Sequence, residues 1–233
     1  MCQHAIILLM STLNVPLNGI ERFRIKNIIE KIRATIHGEI SFCGAQGSYC
    51  MGIVDMVNST KITAHMDSYK MSEYYRIYLN AMAEIAKEFG AVVVKNIGDS
   101  ILYYFPDTCD AEDKRSVQNS LECSLAMVES YEEINILMTE CGLPPVNYRV
   151  SSDYGKLTIA KSLFSIREDI FGPTVNTCAK INGIAMPNST IIGGDLYQVA
   201  RQFKGYGFHS LVGFSVGVRL DYPVYSLYRK DVT

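Results

Sequence analysis

The chain has 233 residues, 48% hydrophobic and 20% charged, the balance of a folded globular protein with enough length to bury a sizeable core. Its 22 Lys and Arg against 24 Asp and Glu give a formal net charge of −2, which argues against nucleic acid as the main partner. No stretch reaches the roughly 20 apolar residues of a membrane-spanning helix. The seven cysteines form no CxxC and the four histidines complete no zinc-type cluster, so a reducing, cytoplasmic setting is expected.

In chain order, Ala5 to Met10 (AIILLM) is too short for a signal peptide and lacks a basic flank. Asn14 to Gly19 reads as a loop. Ile25, Ile28, Ile29, Ile32 and Ile36, set between Arg22, Lys26, Lys31 and Arg33, predict an amphipathic helix over Glu21 to Ile36. Its apolar stripe either packs on the chain's own domain or connects to a second chain or an upstream module. Residues 1–42 are therefore set apart from a main domain over 43–233.

Cys50 to Val57 (CMGIVDMV) reads as a buried strand carrying one carboxylate, Asp55, with Asn58-Ser59-Thr60 starting a helix. From Lys61 to Phe89 helical spacing predicts one long helix or two short ones, closed by Gly90, with Tyr69, Tyr74, Tyr75 and Tyr78 read as packing. Ala91 to Ile97 and Ser100 to Phe105 form a hairpin across Gly98-Asp99, which places a second acid at a strand end. Val117 to Cys141 has the period of a further helix, ended by Gly142 and Pro144-Pro145. Val146 to Val150 is a strand, with Lys156 to Ala160 expected as its hairpin partner. The order is βαββαβ, a ferredoxin-like α+β core with an antiparallel sheet and helices on one face. A helix from Pro173, a short strand at Thr190 to Ile192 and a hairpin from Gly205 to Tyr228 follow.

If the two acid-bearing strands pair, Asp55 and Asp99 become neighbours, since adjacent strands lie about 5 Å apart. Such a pair suits Mg²⁺, which takes one or two carboxylates and completes its shell with water and phosphate. The backbone amides from Met56 through Val57, Asn58 and Ser59 to Thr60 would then hold a phosphate tail. The alternative for isolated strand-end acids is a solvated or capping role.

Three runs carry a family resemblance. Gly52 to Thr60 (GIVDMVNST) resembles the first metal motif of the class III nucleotidyl cyclase catalytic domain, Val94 to Ser100 (VKNIGDS) resembles its lysine-bearing second motif, and Asp169 to Asn176 (DIFGPTVN) is similar to its D-x-[FW]-G-x-x-V-N signature. The resemblance covers roughly Cys50 to Tyr228 and implies that 43–233 is a catalytic domain with the nucleotide cyclase fold. It further implies a head-to-tail homodimer with sites shared between chains. One chain offers Asp55 and Asp99 to two Mg²⁺ or Mn²⁺ ions; the other offers Lys95, Asp169, Asn176 and Lys180. The implied reaction converts ATP to cyclic AMP and pyrophosphate. Lys95 would donate to adenine N1 and Asp169 accept from its N6 amine, a pattern guanine does not match.

Three departures stand out. Lys180 replaces the arginine that grips the α-phosphate, and a lysine lacks the planar two-point hold of a guanidinium. Near the C-terminus the run Val216-Gly217-Val218-Arg219 leaves Arg219 as the substitute for a phosphate-binding lysine. Asn58 stands where the first motif has Gly. The competing expectation is therefore a catalytically weak or inactive module that binds nucleotide or dimerises. Gly193-Gly194-Asp195 suggests a diguanylate cyclase turn, but it falls where a strand gives way to a helix and not in a hairpin. The histidines are assigned no role.

Overall fold

The structure, a computed structural model, describes residues 26–33, 40–109, 113–162, 168–211 and 222–230. Helix α1 covers 26–33. There follow β1 (Ile40–Met56), α2 (Ser59–Thr63), α3 (Ser68–Glu88), β2 (Val92–Ile97), β3 (Ser100–Phe105) and, after a 3₁₀ turn, α4 (Lys114–Glu129) and α5 (Tyr131–Glu140). The chain continues as β4 (Tyr148–Ser162), β5 (Glu168–Phe171), α6 (Pro173–Asn182), β6 (Thr190–Gly193), α7 (Gly194–Ala200), β7 (Tyr206–Leu211) and β8 (Val224–Arg229).

One sheet runs β2-β3-β1-β4-β6-β8-β7, with β5 pairing on β4. Its β4-β1-β3-β2 half is antiparallel throughout, the arrangement of the expected βαββαβ core. Pairing of β4 with β6 is parallel, so the complete sheet is mixed. The apolar run of β1 follows from burial on both faces. Cys50, Val54 and Met56 face a core shared with α3, α4 and α5. Tyr49, Met51 and Ile53 face a second cluster that includes Cys178 of α6. Helices thus cover both faces, not one.

Several expectations are corrected. The strand at Val146 to Val150 does not turn back at Lys156; β4 is a single strand that pairs with β1 from Tyr148 to Ser162. Asp153 and Gly155, which have turn chemistry, lie inside it. β1 begins at Ile40, ten residues before the apolar run, and carries an irregularity between Phe42 and Gln46. Of the two options for Lys61 to Phe89 the chain takes two helices, because the Asp67 carboxylate caps α3 by accepting from the Lys70 amide at 2.8 Å. The helix over Val117 to Cys141 is interrupted at Ser130, whose hydroxyl donates back to the Ala126 carbonyl at 2.7 Å. In α1, Ile28 and Ile32 are 55% and 53% exposed; Ile25 and Ile36 lie outside the described residues. Among the described residues no helix is long and apolar enough to cross a membrane.

Candidate functional site

The ends of β1 and β3 bring the two acids to one place. Asp55 pairs in register with Ser100 on one side and with Arg149 of β4 on the other; Asp99 immediately precedes Ser100 in the hairpin turn. That turn needs Gly98, whose φ of 64° favours a residue without Cβ. The Ser100 hydroxyl donates to Asp55 Oδ1. Arg149 donates to Asp55 Oδ2 from Nη2 at 2.9 Å and from Nε at 3.2 Å, and from Nη1 to the Gly183 carbonyl at 3.2 Å. The two carboxylates are hard oxygen donors, and among the described residues no group of three or more His, Cys, Asp or Glu side chains gathers. That donor set fits Mg²⁺ or Mn²⁺ completed by water and phosphate oxygens, and not a cation held in an all-protein cage.

Beyond Asp55 the chain enters α2 through Asn58, at φ 60° and ψ 24°. Asparagine is among the few non-glycine residues that visit this left-handed region readily, which explains how Asn58 replaces a glycine there. Met56 is buried in β1, and the Val57 amide donates to the Asn147 carbonyl at 2.7 Å, so Val57 is removed from the expected phosphate cradle. Asn58, Ser59 and Thr60 open the helix, where first-turn amides lack intrahelical acceptors.

Lys95 and Asp169 meet although they lie 74 positions apart. Lys95 Nζ lies 2.5 Å from Asp169 Oδ2, and Asp169 Oδ1 accepts from the Ile170 amide at 2.9 Å. Asp169 sits on β5, whose residues pair with Thr158 to Lys161 of β4. Gly172 ends that strand where an added Cβ would lie 2.5 Å from the Lys156 carbonyl, and Pro173 then opens α6. Asn176 and Lys180, four apart on α6, share one exposed face. Arg219 lies outside the described residues.

A family model for the adenylate and guanylate cyclase catalytic domain matches residues 45–227. The chain belongs to this family. An adenylate cyclase from Streptomyces coelicolor is 24% identical over 142 residues, which are 61% of this chain but 31% of that protein, so the chain spans about a third of its length. The adenylyl cyclase CyaB from P. aeruginosa superposes with a TM-score of 0.72 at 16% identity, covering 80% of this chain and 96% of that one. The guanylyl cyclase Cya2 does so at 0.70 and 17%, covering 79% and 93%. At such identities the two structures share the fold.

In this cyclase domain the sequence reading missed Arg149 and Ser100, both in contact with Asp55. Arg149 stands out only once the β1–β4 register is known; in the sequence it is one polar residue of an alternating strand. A buried acid was also missed. Asp153, 1% exposed, accepts from the Tyr154 amide at 2.9 Å, the Leu196 amide at 3.3 Å and the Tyr222 hydroxyl at 2.8 Å. Gly193 is obligatory beside it, since an added Cβ would lie 2.3 Å from the carboxyl carbon. Gly194 and Asp195 accordingly open α7, not a hairpin.

Burial pushes the Asp153 carboxyl up to about 6, against the pull of its three donors. An acid whose pKa is raised on folding binds more protons in the native state between roughly pH 4 and 6, so its contribution falls by about 3 kcal/mol as pH rises through that window. Asp153→Asn keeps acceptor and donor in place without the charge. It is expected to be the more stable form at pH 7 by about 1–3 kcal/mol, with the gap closing by pH 4. Urea midpoints of both proteins across this range test the assignment, and parallel curves would refute it.

Proposed function

We propose that this domain is an adenylyl cyclase that works as a head-to-tail homodimer, with each site built from both chains. The reading rests above all on Lys95 and Asp169, a donor and an acceptor held side by side at 2.5 Å. Lys95 donates to adenine N1 and Asp169 accepts from the N6 amine. Guanine, with an acceptor at O6 and a donor at N1, leaves these groups mismatched at about 1–3 kcal/mol each. The similar structures include both an adenylyl and a guanylyl cyclase, so base preference rests on these two residues.

Asp55 and Asp99 of one chain hold the divalent cations. Mg²⁺ or Mn²⁺ bound there lowers the pKa of the ribose 3′-hydroxyl and neutralises charge on the phosphates. Arg149 turns from Asp55 toward phosphate oxygens, helped by the α2 amides. From the other chain Asn176 orients the ribose and Lys180 balances charge on the α-phosphate. The 3′-oxygen forms a bond to the α-phosphorus, the bond to the pyrophosphate oxygen breaks, and the hydroxyl proton leaves to solvent.

The test is to incubate the protein with ATP or GTP and Mn²⁺ and to identify products by mass spectrometry. Cyclic AMP is expected in excess; faster turnover of GTP would overturn the roles of Lys95 and Asp169. The alternative, a domain that binds nucleotide without turning it over, draws on Lys180 and on Arg219 in place of the C-terminal phosphate-binding lysine, and binding without product would favour it. Lys180→Arg is expected to raise kcat about tenfold by restoring a two-point grip on the α-phosphate. An unchanged kcat would remove Lys180 as the weak element.

A further inference from the structure

Helix α6 rests on the sheet through a stripe that is more polar than apolar. Its buried residues are Thr174, Cys178, Ile181 and Asn182, one large hydrophobe among three small or polar side chains. The Thr174 hydroxyl donates to the Lys156 carbonyl at 3.1 Å and the Ser151 hydroxyl to the Cys178 carbonyl at 3.2 Å. Asn182 Nδ2 donates to the Ile53 carbonyl at 3.1 Å, across 129 positions of sequence. Thr174, Cys178 and Asn182 are spaced four apart and so form one row, facing β4 and β1. Lys180 is two positions from both Cys178 and Asn182, which turns it about 200° from each, and it is exposed.

Lys180 also lies in the last turn of α6, where carbonyls lack intrahelical donors and helix ends fray. Gly183, which closes that turn, has φ −58° and ψ −21°, so it does not form the left-handed cap with which glycine commonly ends a helix. Two side-chain bonds tie the turn to the sheet instead. Arg149 Nη1 donates to the Gly183 carbonyl at the surface, and Asn182, 4% exposed, donates to Ile53 in the interior. Ile53 is two residues before Asp55 in β1. In the reaction proposed above Arg149 turns to phosphate, which leaves the buried Asn182 bond to hold the turn. An apolar side chain would cover the same spot without an amide to desolvate, so burial alone does not call for asparagine.

We propose that Asn182 is a positioning residue for the cyclase reaction, its buried amide fixing the last turn of α6 where Lys180 can reach the α-phosphate. This rests on the role given to Lys180 in that reaction. A buried polar bond of this kind adds little net stability but selects one arrangement among several close in energy. Misplacing a reacting group by about 1 Å costs on the order of 10²-fold in rate, so partial loosening of the turn is expected to cost about tenfold.

The experiment is steady-state kinetics of cyclic nucleotide formation by the whole chain with Mn²⁺, set beside thermal midpoints. Asn182→Ala is expected to lower kcat about tenfold with KM for the nucleotide within about twofold of wild type, because Lys95, Asp169 and the metal acids lie on other elements. Asn182→Gln, which keeps the donor, is expected to recover part of the loss. Should Asn182→Ala fail to fold, Asn182→Leu, which fills the space without a donor, is measured in its place. In a Lys180→Ala background the same substitution is expected to cost less than about twofold further, since the group it places is gone. An unchanged kcat in Asn182→Ala, or an equal tenfold loss with and without Lys180, would overturn the proposal alone. A wild-type rate in Lys180→Ala, or no cyclic nucleotide from the wild type, would overturn the role of Lys180 and the proposal with it.

Discussion

Asp55→Ala is expected to lower cyclic nucleotide formation by at least about 10³-fold, with the fold retained. The loss of a metal carboxylate removes several kcal/mol of charge stabilisation from the transition state, and about 4 kcal/mol corresponds to that factor. The structural cost is smaller. Asp55 and Arg149 keep only 17% and 25% of their side-chain surface exposed, so loss of the carboxylate leaves a part-buried guanidinium short of one partner, at about 1–3 kcal/mol. Arg149 retains the Gly183 carbonyl as acceptor. Product rates by mass spectrometry, set beside thermal midpoints, separate the two effects. A variant that keeps more than a tenth of the wild-type rate would remove Asp55 from the metal site, and one that fails to fold would be replaced by Asp55→Asn, which leaves an acceptor for Arg149.

The core strands were legible because burial on both faces leaves a plain record: β1 and β3 are apolar runs, broken in β1 by Asp55 and bounded by Gly98-Asp99. The error in β4 has an equally physical source. Asp153 and Gly155 look like turn residues because Asp bonds local amides and Gly tolerates unusual angles. In the fold Asp153 does accept from the next amide, but also from Leu196 and from Tyr222, 43 and 69 positions away. Gly155 is needed for space, since an added Cβ would lie 2.6 Å from the Thr174 hydroxyl. Distant partners of this sort leave no local periodicity. The same holds at the site. Asp55 and Asp99 could be picked out as acids at strand ends, and Lys95 with Asp169 through motif resemblance, whereas Arg149 acquires meaning only from register.

Mixing two inactive variants is expected to restore activity if each site draws on both chains. Asp55→Ala lacks the metal-binding half of every site. A double variant, Asn176→Ala with Lys180→Ala, lacks the ribose and phosphate half, and both residues are exposed on α6, so their truncation leaves the core untouched. In a two-fold dimer of the first variant with the second, one site collects both lesions and the other collects none. Random exchange of equal amounts puts half of all chains into such mixed dimers, and half of their sites are intact, so about a quarter of the wild-type rate should return. That gain from near zero is diagnostic, because a site contained within a single chain would stay broken in every molecule whatever the mixture. The measurement is cyclic AMP formed per unit protein as the ratio of the two variants is varied, with the maximum expected at equal amounts. A flat, inactive profile from variants that still dimerise would place Asp55 and Lys180 in one site of one chain, and the head-to-tail arrangement would have to be abandoned.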